Sequence, residues 1–216
     1  MTRIAMSCIA MSCIAISRRR LPARRAQAGF LLIEVLVAVV ILLVALLGTA
    51  GLVARSGQTE MESYQRVQAL ALLQDMAARL NANRQVAACY ANGAAGMQLG
   101  SAAAPPAACT QGSAAQNATA NADLQAWNAA LLGSAEMRPG ASAVDPAQAV
   151  GAMIGARGCI ETVDAVNQVY RITVAWQGLA TTGAPALGCG KDQYGNDAYR
   201  RAVSTQIRIG TLGTVS

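Results

Sequence analysis

The pattern of hydrophobic positions begins with an uninterrupted apolar segment. Twenty consecutive residues without a charge, VLVAVVILLVALLGTAGLVA, occupy positions 35–54. At roughly 1.5 Å per residue this segment forms about 30 Å of helix, which matches the hydrocarbon core of a bilayer. The core of a soluble protein this small would not enclose a helix that is apolar on every side. The sequence therefore predicts a membrane-spanning helix.

Beyond Arg55 the apolar positions continue with helical periodicity. They recur mostly three or four residues apart, at Met61, Tyr64, Val67, Leu70, Leu73, Met76, Ala77 and Leu80. Charged and amide side chains fill most positions between them, so a single apolar stripe is expected. One helix should therefore run from about Phe30 to Leu80 and end in Asn81-Ala82-Asn83, with its second half supporting a head domain.

The head, residues 85–216, shows shorter periodic segments. Residues 85–120 and 178–198 are rich in small and polar residues and indicate irregular loops, and 133–152 contains turn signals. The expected elements are a short helix at Asp123–Leu132 and strands at Cys159–Asp164, Gln168–Gln177 and Arg201–Ile209. The predicted fold class is α+β, with a long N-terminal helix packed on a small antiparallel sheet.

The net charge of +6 belongs to the N-terminal residues. Positions 1–29 contain six arginines and no acidic residue: Arg3, Arg18, Arg19, Arg20, Arg24 and Arg25. Eleven basic and eleven acidic side chains remain after them, so no nucleic-acid partner is expected. The arginine excess before the apolar segment predicts a cytoplasmic N-terminus and a translocated head. The later pair Arg200-Arg201 is expected to be solvated beside a strand.

The chain contains no histidine, which removes the commonest general base and metal ligand. No nucleophile motif is recognisable, so the chain is not expected to be an enzyme or to bind a cofactor. The cysteines lack the paired spacing of zinc sites. Asp192, Asn196 and Asp197 do not match an EF-hand loop, and a solvated polar loop is expected there instead of a metal site.

Glu34 is the one charged residue inside the apolar N-terminal region after Gly29. A carboxylate at the edge of a membrane span either lies just outside the bilayer or has a function there. The segment 29–38, GFLLIEVLVA, resembles the prepilin motif of type IV pilins and type II secretion pseudopilins. That motif places a glycine at a cleavage site, a hydrophobic first mature residue and a glutamate at the fifth mature position, between a basic stretch and an apolar helix.

The resemblance implies a role for each matching residue. A prepilin peptidase would cut between Gly29 and Phe30 and methylate the new amino group of Phe30. Glu34 would pair with the N-terminal amine of a neighbouring pilin subunit. The implied organisation is a leader (1–29), a transmembrane and filament-core helix (30–54), an amphipathic helix (55–84) and the head. The protein would be single-pass in the inner membrane with a periplasmic head and would later join the pilus.

The leader is longer than is usual for this family. Residues 4–16 contain a tandem IAMSC repeat, and the arginine cluster follows this apolar run. That order is the reverse of a secretory signal peptide. We therefore expect translation to begin downstream, for instance at Met11, or the extension to be dispensable. Cys8 and Cys13 would then be absent from the mature protein.

A narrower resemblance covers parts of the head. Four segments and Cys189 are similar to PilV-type minor pilins: LLQDMAARLNANR (72–84), ADLQAWNAALLG (122–133), YRITVAWQG (170–178) and RRAVSTQIRI (200–209). This resemblance implies a minor pilin that acts in pilus assembly, priming or at the tip. A type II secretion pseudopilin remains an alternative, as does a pilus-borne adhesin or DNA-uptake module.

Four cysteines lie in the head, and an even number in a translocated domain indicates two disulfides. Three connectivities are compatible with the sequence. We favour Cys89–Cys109 and Cys159–Cys189, because each pair closes a loop without regular structure. In the chain-entropy model, loops of about 20–30 residues closed in this way gain roughly 3 kcal/mol.

Overall fold

A computed structural model describes residues 31–92, 96–140, 145–151 and 153–210. The chain divides into two units, one ending at Gly48 and one beginning at Thr49. The helices and strands are α1 (Leu32–Ala82), α2 (Ala87–Ala91), α3 (Ala114–Leu131), β1 (Met97–Gly100), β2 (Met137–Arg138), β3 (Gln148–Ala149), β4 (Ile154–Asp164), β5 (Val169–Gln177) and β6 (Arg200–Arg208). The α+β class expected from the sequence is present.

The long helix α1 contains 51 residues and has nearly the predicted ends. Its N-terminal part is long and apolar enough to cross a membrane, judged by length and composition. The side chains from Leu31 to Gly48 are all exposed in the first unit, including the large hydrophobic ones. Apolar surface on every side of a helix suits a lipid environment, so this segment has the properties of a membrane anchor.

Four of the strands form one antiparallel sheet in the order β1-β4-β5-β6. The register joins Gln98 to Cys159, Cys159 to Thr173 and Thr173 to Ser204 across the whole sheet. Strands β2 and β3 form a separate two-stranded ribbon. Because side chains alternate between faces, Gln98, Cys159, Thr173 and Ser204 lie on the face of the sheet opposite the core.

The core lies between that sheet and two helices. The second half of α1 contributes Ala69, Leu73, Met76 and Leu80, while Trp127 of α3 is fully buried among them. The central strands contribute Ile160, Ile172, Val174 and Trp176 from their inward faces, and α2 and β1 add Tyr90 and Leu99. All these elements therefore share one core.

The buried seam of α1 differs from the predicted stripe. Met61, Tyr64, Val67 and Leu70 are 40–63% exposed, and the seam starts instead at the buried Gln65. The reason is geometric: with 3.6 residues per turn, each step of three residues drifts by roughly 60° around the helix. Three such steps carry the pattern to the opposite side, so only its C-terminal part faces the core.

The region 85–120 is more regular than predicted, because it contains α2, β1 and the start of α3. Helix α3 begins nine residues earlier than expected, at Ala114 instead of Asp123. Ser113 and Gln116 form a capping box there, with each side chain bonding the backbone N–H of the other residue. The Ser-x-x-Gln spacing was the overlooked signal for this helix start.

Strand β5 is buried on both faces, although its sequence predicted alternation. Thr173 is 1% exposed and Ala175 is fully buried on the outer face. The loop between β5 and β6 covers them, and Cys189 from this loop packs with Cys159 and Ala175. This Gly-rich loop therefore covers part of the outer face of the sheet, which would otherwise be exposed to solvent.

We predict that Gly158→Ala destabilises the head. A Cβ atom at Gly158 would overlap the Trp127 ring and approach Leu131 Cδ1 to 2.7 Å. Overpacking of this kind costs about 1–3 kcal/mol. The measurement is thermal unfolding of the full chain in detergent, followed by tryptophan fluorescence. Gly183→Ala is the control, because nothing lies within 4 Å of its Cβ position. Equal unfolding temperatures for the two variants would contradict the packing described here.

Candidate functional site

The N-terminal candidate site is represented by Glu34. This residue lies in the first turn of α1, where its backbone N–H bonds the Leu31 carbonyl at 2.9 Å. A carboxylate in the first turn is favoured by the helix dipole. Gly29 and Phe30 lie outside the described residues, so cleavage and methylation there stay predictions. Glu34 is the one carboxylate in the apolar part of α1, and its exposed side chain is accessible to a partner.

Both tryptophans attach the second half of α1 to the head. The Trp127 indole donates to the Leu72 carbonyl at 2.8 Å, and the Trp176 indole donates to Gln65 Oε1 at 3.2 Å. A buried indole N–H needs an acceptor, so the two bonds select one axial position for the helix. Gln65 is therefore buried because it accepts this hydrogen bond. The sequence alone did not indicate its burial, because the side chain is polar.

A third attachment uses charged groups at the C-terminal end of α1. Arg79 pairs with Asp75 and with Asp123 of α3, each at 2.8 Å. The other oxygen of Asp123 accepts from the Tyr90 hydroxyl at 2.6 Å. Burial and this bond to Asp123 raise the pKa of Tyr90 above its ordinary value. The two helices and α2 therefore meet in one polar network at this end.

Glu62 connects α1 to the loop that follows β5. Its Oε1 atom accepts from the backbone N–H groups of Leu179 and Ala180 at 3.1 and 3.3 Å. Arg201 of β6 donates to the same oxygen at 3.2 Å. One carboxylate thus receives three donors from the head and holds the start of the loop against the helix.

The described residues contain two disulfides, Cys89–Cys109 and Cys159–Cys189. These are the pairs favoured from the sequence, and they enclose separations of 20 and 30 residues. All four cysteines are buried. The first disulfide ties α2 to the segment before α3, and the second ties the β5–β6 loop to the outer face of the sheet.

Arg200 corrects the expectation of a solvated arginine pair. Its side chain is fully buried, and its guanidinium donates to the carbonyls of Pro185, Leu187 and Cys189 at 2.6–3.0 Å. Asp197 completes the site by pairing with Nε at 2.6 Å. A fixed fork of five donors can satisfy several loop carbonyls at once, which explains why an arginine is buried here.

The polar side chains of Asn196 and Asp197 in the same loop make contacts that hold the loop together. Asp197 is occupied by Arg200, and Asn196 accepts from the Ala198 N–H to cap a short turn. Within the described ranges, no group of three or more His, Cys, Asp or Glu side chains is placed to hold a metal ion. These contacts favour the polar-loop interpretation of Asp192, Asn196 and Asp197 over a calcium site.

The tip of the loop rests on Arg157 of β4. The guanidinium carbon lies 5.7 Å from the centre of the Tyr194 ring, and the arginine also donates to the Ser101 carbonyl. The Tyr194 hydroxyl donates to the Gly155 carbonyl at 3.0 Å, and burial raises the pKa of Tyr194 to about 12. The loop is therefore held at its start, its middle and its tip.

An open cavity of about 270 Å³ lies between α1 and the start of β6. Its walls include Thr59, Glu62, Ser63 and Arg66 from the helix, with Trp176 and Arg201 from the sheet. Glu62 is already engaged by Arg201 and two backbone N–H groups, and Arg66 has no ion pair in the described residues. A carboxylate that enters this cavity would therefore find Arg66 as its partner.

Comparison with known proteins adds no relative. No protein-family model, curated protein or solved structure matches this chain.

Acid pH should weaken the loop through Asp197. The Arg200 guanidinium holds the pKa of Asp197 below its ordinary value of 3.8. Stability from a depressed pKa is present above the ordinary value and is lost as pH falls through the lowered one. Asp197→Asn should therefore unfold at a lower temperature than wild type at pH 7 and lose less stability below about pH 4.

Asp192→Asn is the matched control, because its carboxylate has no hydrogen bond to Arg200 in the described structure. It should follow the wild-type unfolding temperature across the same pH range. An identical acid limb for wild type and Asp197→Asn would contradict the assigned role of the ion pair.

Proposed function

We propose that the chain is a minor pilin of a type IV pilus, anchored in the inner membrane before it joins the filament. The observation that carries the proposal is the lone carboxylate of Glu34 at the start of a 51-residue helix. The first half of that helix is apolar on every side, and its second half packs on a disulfide-linked antiparallel sheet. This is the architecture that the prepilin resemblance implies.

The physical logic of Glu34 supports assembly as the function. A carboxylate that enters an apolar helix bundle must be paired, because burying an isolated charge is costly. The free amine created at Phe30 of a neighbouring subunit would supply the opposite charge. Membrane anchorage alone offers no comparable reason for an acid at this position.

The head segments support a pilus subunit. The segments similar to PilV-type minor pilins contain the residues that hold α1 in place, among them Leu72, Arg79, Trp127, Trp176 and Arg201. The resemblance therefore falls on contacts that position the helix on the head. A pilin with this organisation would present its head at the filament surface or tip and would perform no chemistry.

Mature protein isolated from membranes should begin at N-methylated Phe30. The measurement is N-terminal sequencing by mass spectrometry. Gly29→Val should leave the leader attached, because a side chain at this position would obstruct the peptidase. Any other N-terminus on the wild-type protein would overturn the pilin proposal.

Glu34→Ala should be processed and inserted normally but should be poorly incorporated into pili. Removing one member of a buried ion pair costs roughly 3–5 kcal/mol, because the remaining amine is left uncompensated. The measurement is the amount of the chain in sheared pili relative to membranes. Glu60→Ala, which changes another exposed glutamate of α1, should assemble like wild type. Normal incorporation of Glu34→Ala would contradict the proposed pairing.

A further inference from the structure

Strand β6 leaves one row of backbone groups open. Ile209 N–H bonds the Gln168 carbonyl at 3.0 Å, and Gly178 N–H bonds the Tyr199 carbonyl at 2.8 Å. Since antiparallel strands alternate, the odd-numbered residues of β6 direct their backbone groups toward β5. The even-numbered residues direct theirs to the outside of the sheet: Ala202, Ser204, Gln206 and Arg208.

An edge strand is usually protected by a bulge, a proline or charged side chains, and β6 has only the last of these, in the arginines at its two ends. The pairing of β6 with β5 continues over nine residue pairs without a bulge, and β6 contains no proline. No described backbone group outside β5 bonds the outward row from Ala202 to Arg208. The opposite edge is different, because β1 has only four residues and the Gly100 N–H is taken by Asn128 at 2.7 Å. An open, regular edge is a template for another strand.

The cavity beside α1 adjoins the N-terminal end of this edge, because Ala202 and Val203 belong to its lining. Arg66 stands on the helix side of the cavity and has no ion pair in the part of the chain that the structure describes. The nearby Glu62 already receives three donors. The cavity therefore offers an uncompensated cation within reach of any strand that adds to β6.

We propose that the β6 edge and this cavity form a docking site for an extended acidic segment of a partner protein. A segment of roughly five to seven residues would pair with the outward row of β6 and become a fifth strand. Every second side chain of the segment would point to the α1 side, and one of these would place a carboxylate against Arg66. This inference rests on the geometry of the head and not on the proposed function.

Charge selects a foreign segment over a second copy of this chain. Strand β6 contains three arginines and no acidic residue. A second copy would bring another Arg66 but no free carboxylate, because its own Glu62 already receives three donors. An acidic strand adds a carboxylate that is free to pair with Arg66.

The test uses the full-length chain in its own cells, with a photoreactive phenylalanine analogue at Ser204 or Gln206. Val166, which is 92% exposed at the β4–β5 turn, is the control position. Crosslinking to one partner should exceed the control about tenfold. Mass spectrometry should place the two captured partner residues two positions apart, within a segment that contains Asp or Glu.

Two variants separate the edge from the cavity, with the probe at Gln206. Ser204→Pro removes an outward N–H without removing a bond to β5, whereas Ser204→Ala keeps that N–H. Arg66→Glu reverses the charge in the cavity, and Arg84→Glu reverses an exposed charge elsewhere. Ser204→Pro and Arg66→Glu should each reduce crosslinking about tenfold, while the two controls should not.

Folding is checked through formation of both disulfides. If Ser204→Pro fails this check, Arg66→Glu decides, since that side chain is exposed and unpaired in the described residues. The proposal is overturned by crosslinking no stronger than at Val166, by capture of a second copy, or by partner sites that do not advance in steps of two. Undiminished crosslinking in Arg66→Glu also overturns it.

Discussion

The structure depends on helix α1, whose two halves lie in different surroundings. The first half of α1 is apolar on every side, whereas the second half buries only a narrow seam. A seam of small and medium side chains such as Ala69 and Met76 would allow the helix to slide along its axis. The indoles of Trp127 and Trp176 prevent this, because each needs a specific acceptor on α1.

Local sequence patterns predicted the parts of the fold that depend on local physics. The extent of α1 follows from its uninterrupted helical periodicity, and β5 and β6 follow from alternation. The seam of α1 was mispredicted because a three-residue spacing drifts around the helix. The burial of Arg200 had no clear local signal, because only Asp197 is near in sequence and the three carbonyl acceptors are 11–15 residues away along the loop.

The residues of the candidate site also divide into those that the sequence indicated and those that it did not. Glu34 and the cysteine pairs were recognisable from sequence, because an isolated charge and an even number of cysteines are visible without coordinates. The contacts of Glu62 and the role proposed for Arg66 were not, since each resembles an ordinary residue of an amphipathic helix. Only the arrival of β6 beside α1, brought about by the chain after Cys189, gives these two side chains different roles.

The Glu62 contact is one of the attachments that tension along α1 would load. The loop is held on the helix side by hydrogen bonds and an ion pair from this one carboxylate. On the sheet side, the Cys159–Cys189 bond is covalent. A pull that detaches the helix would break the reversible contacts first and leave the loop tethered, so that the joint can re-form when the load is removed.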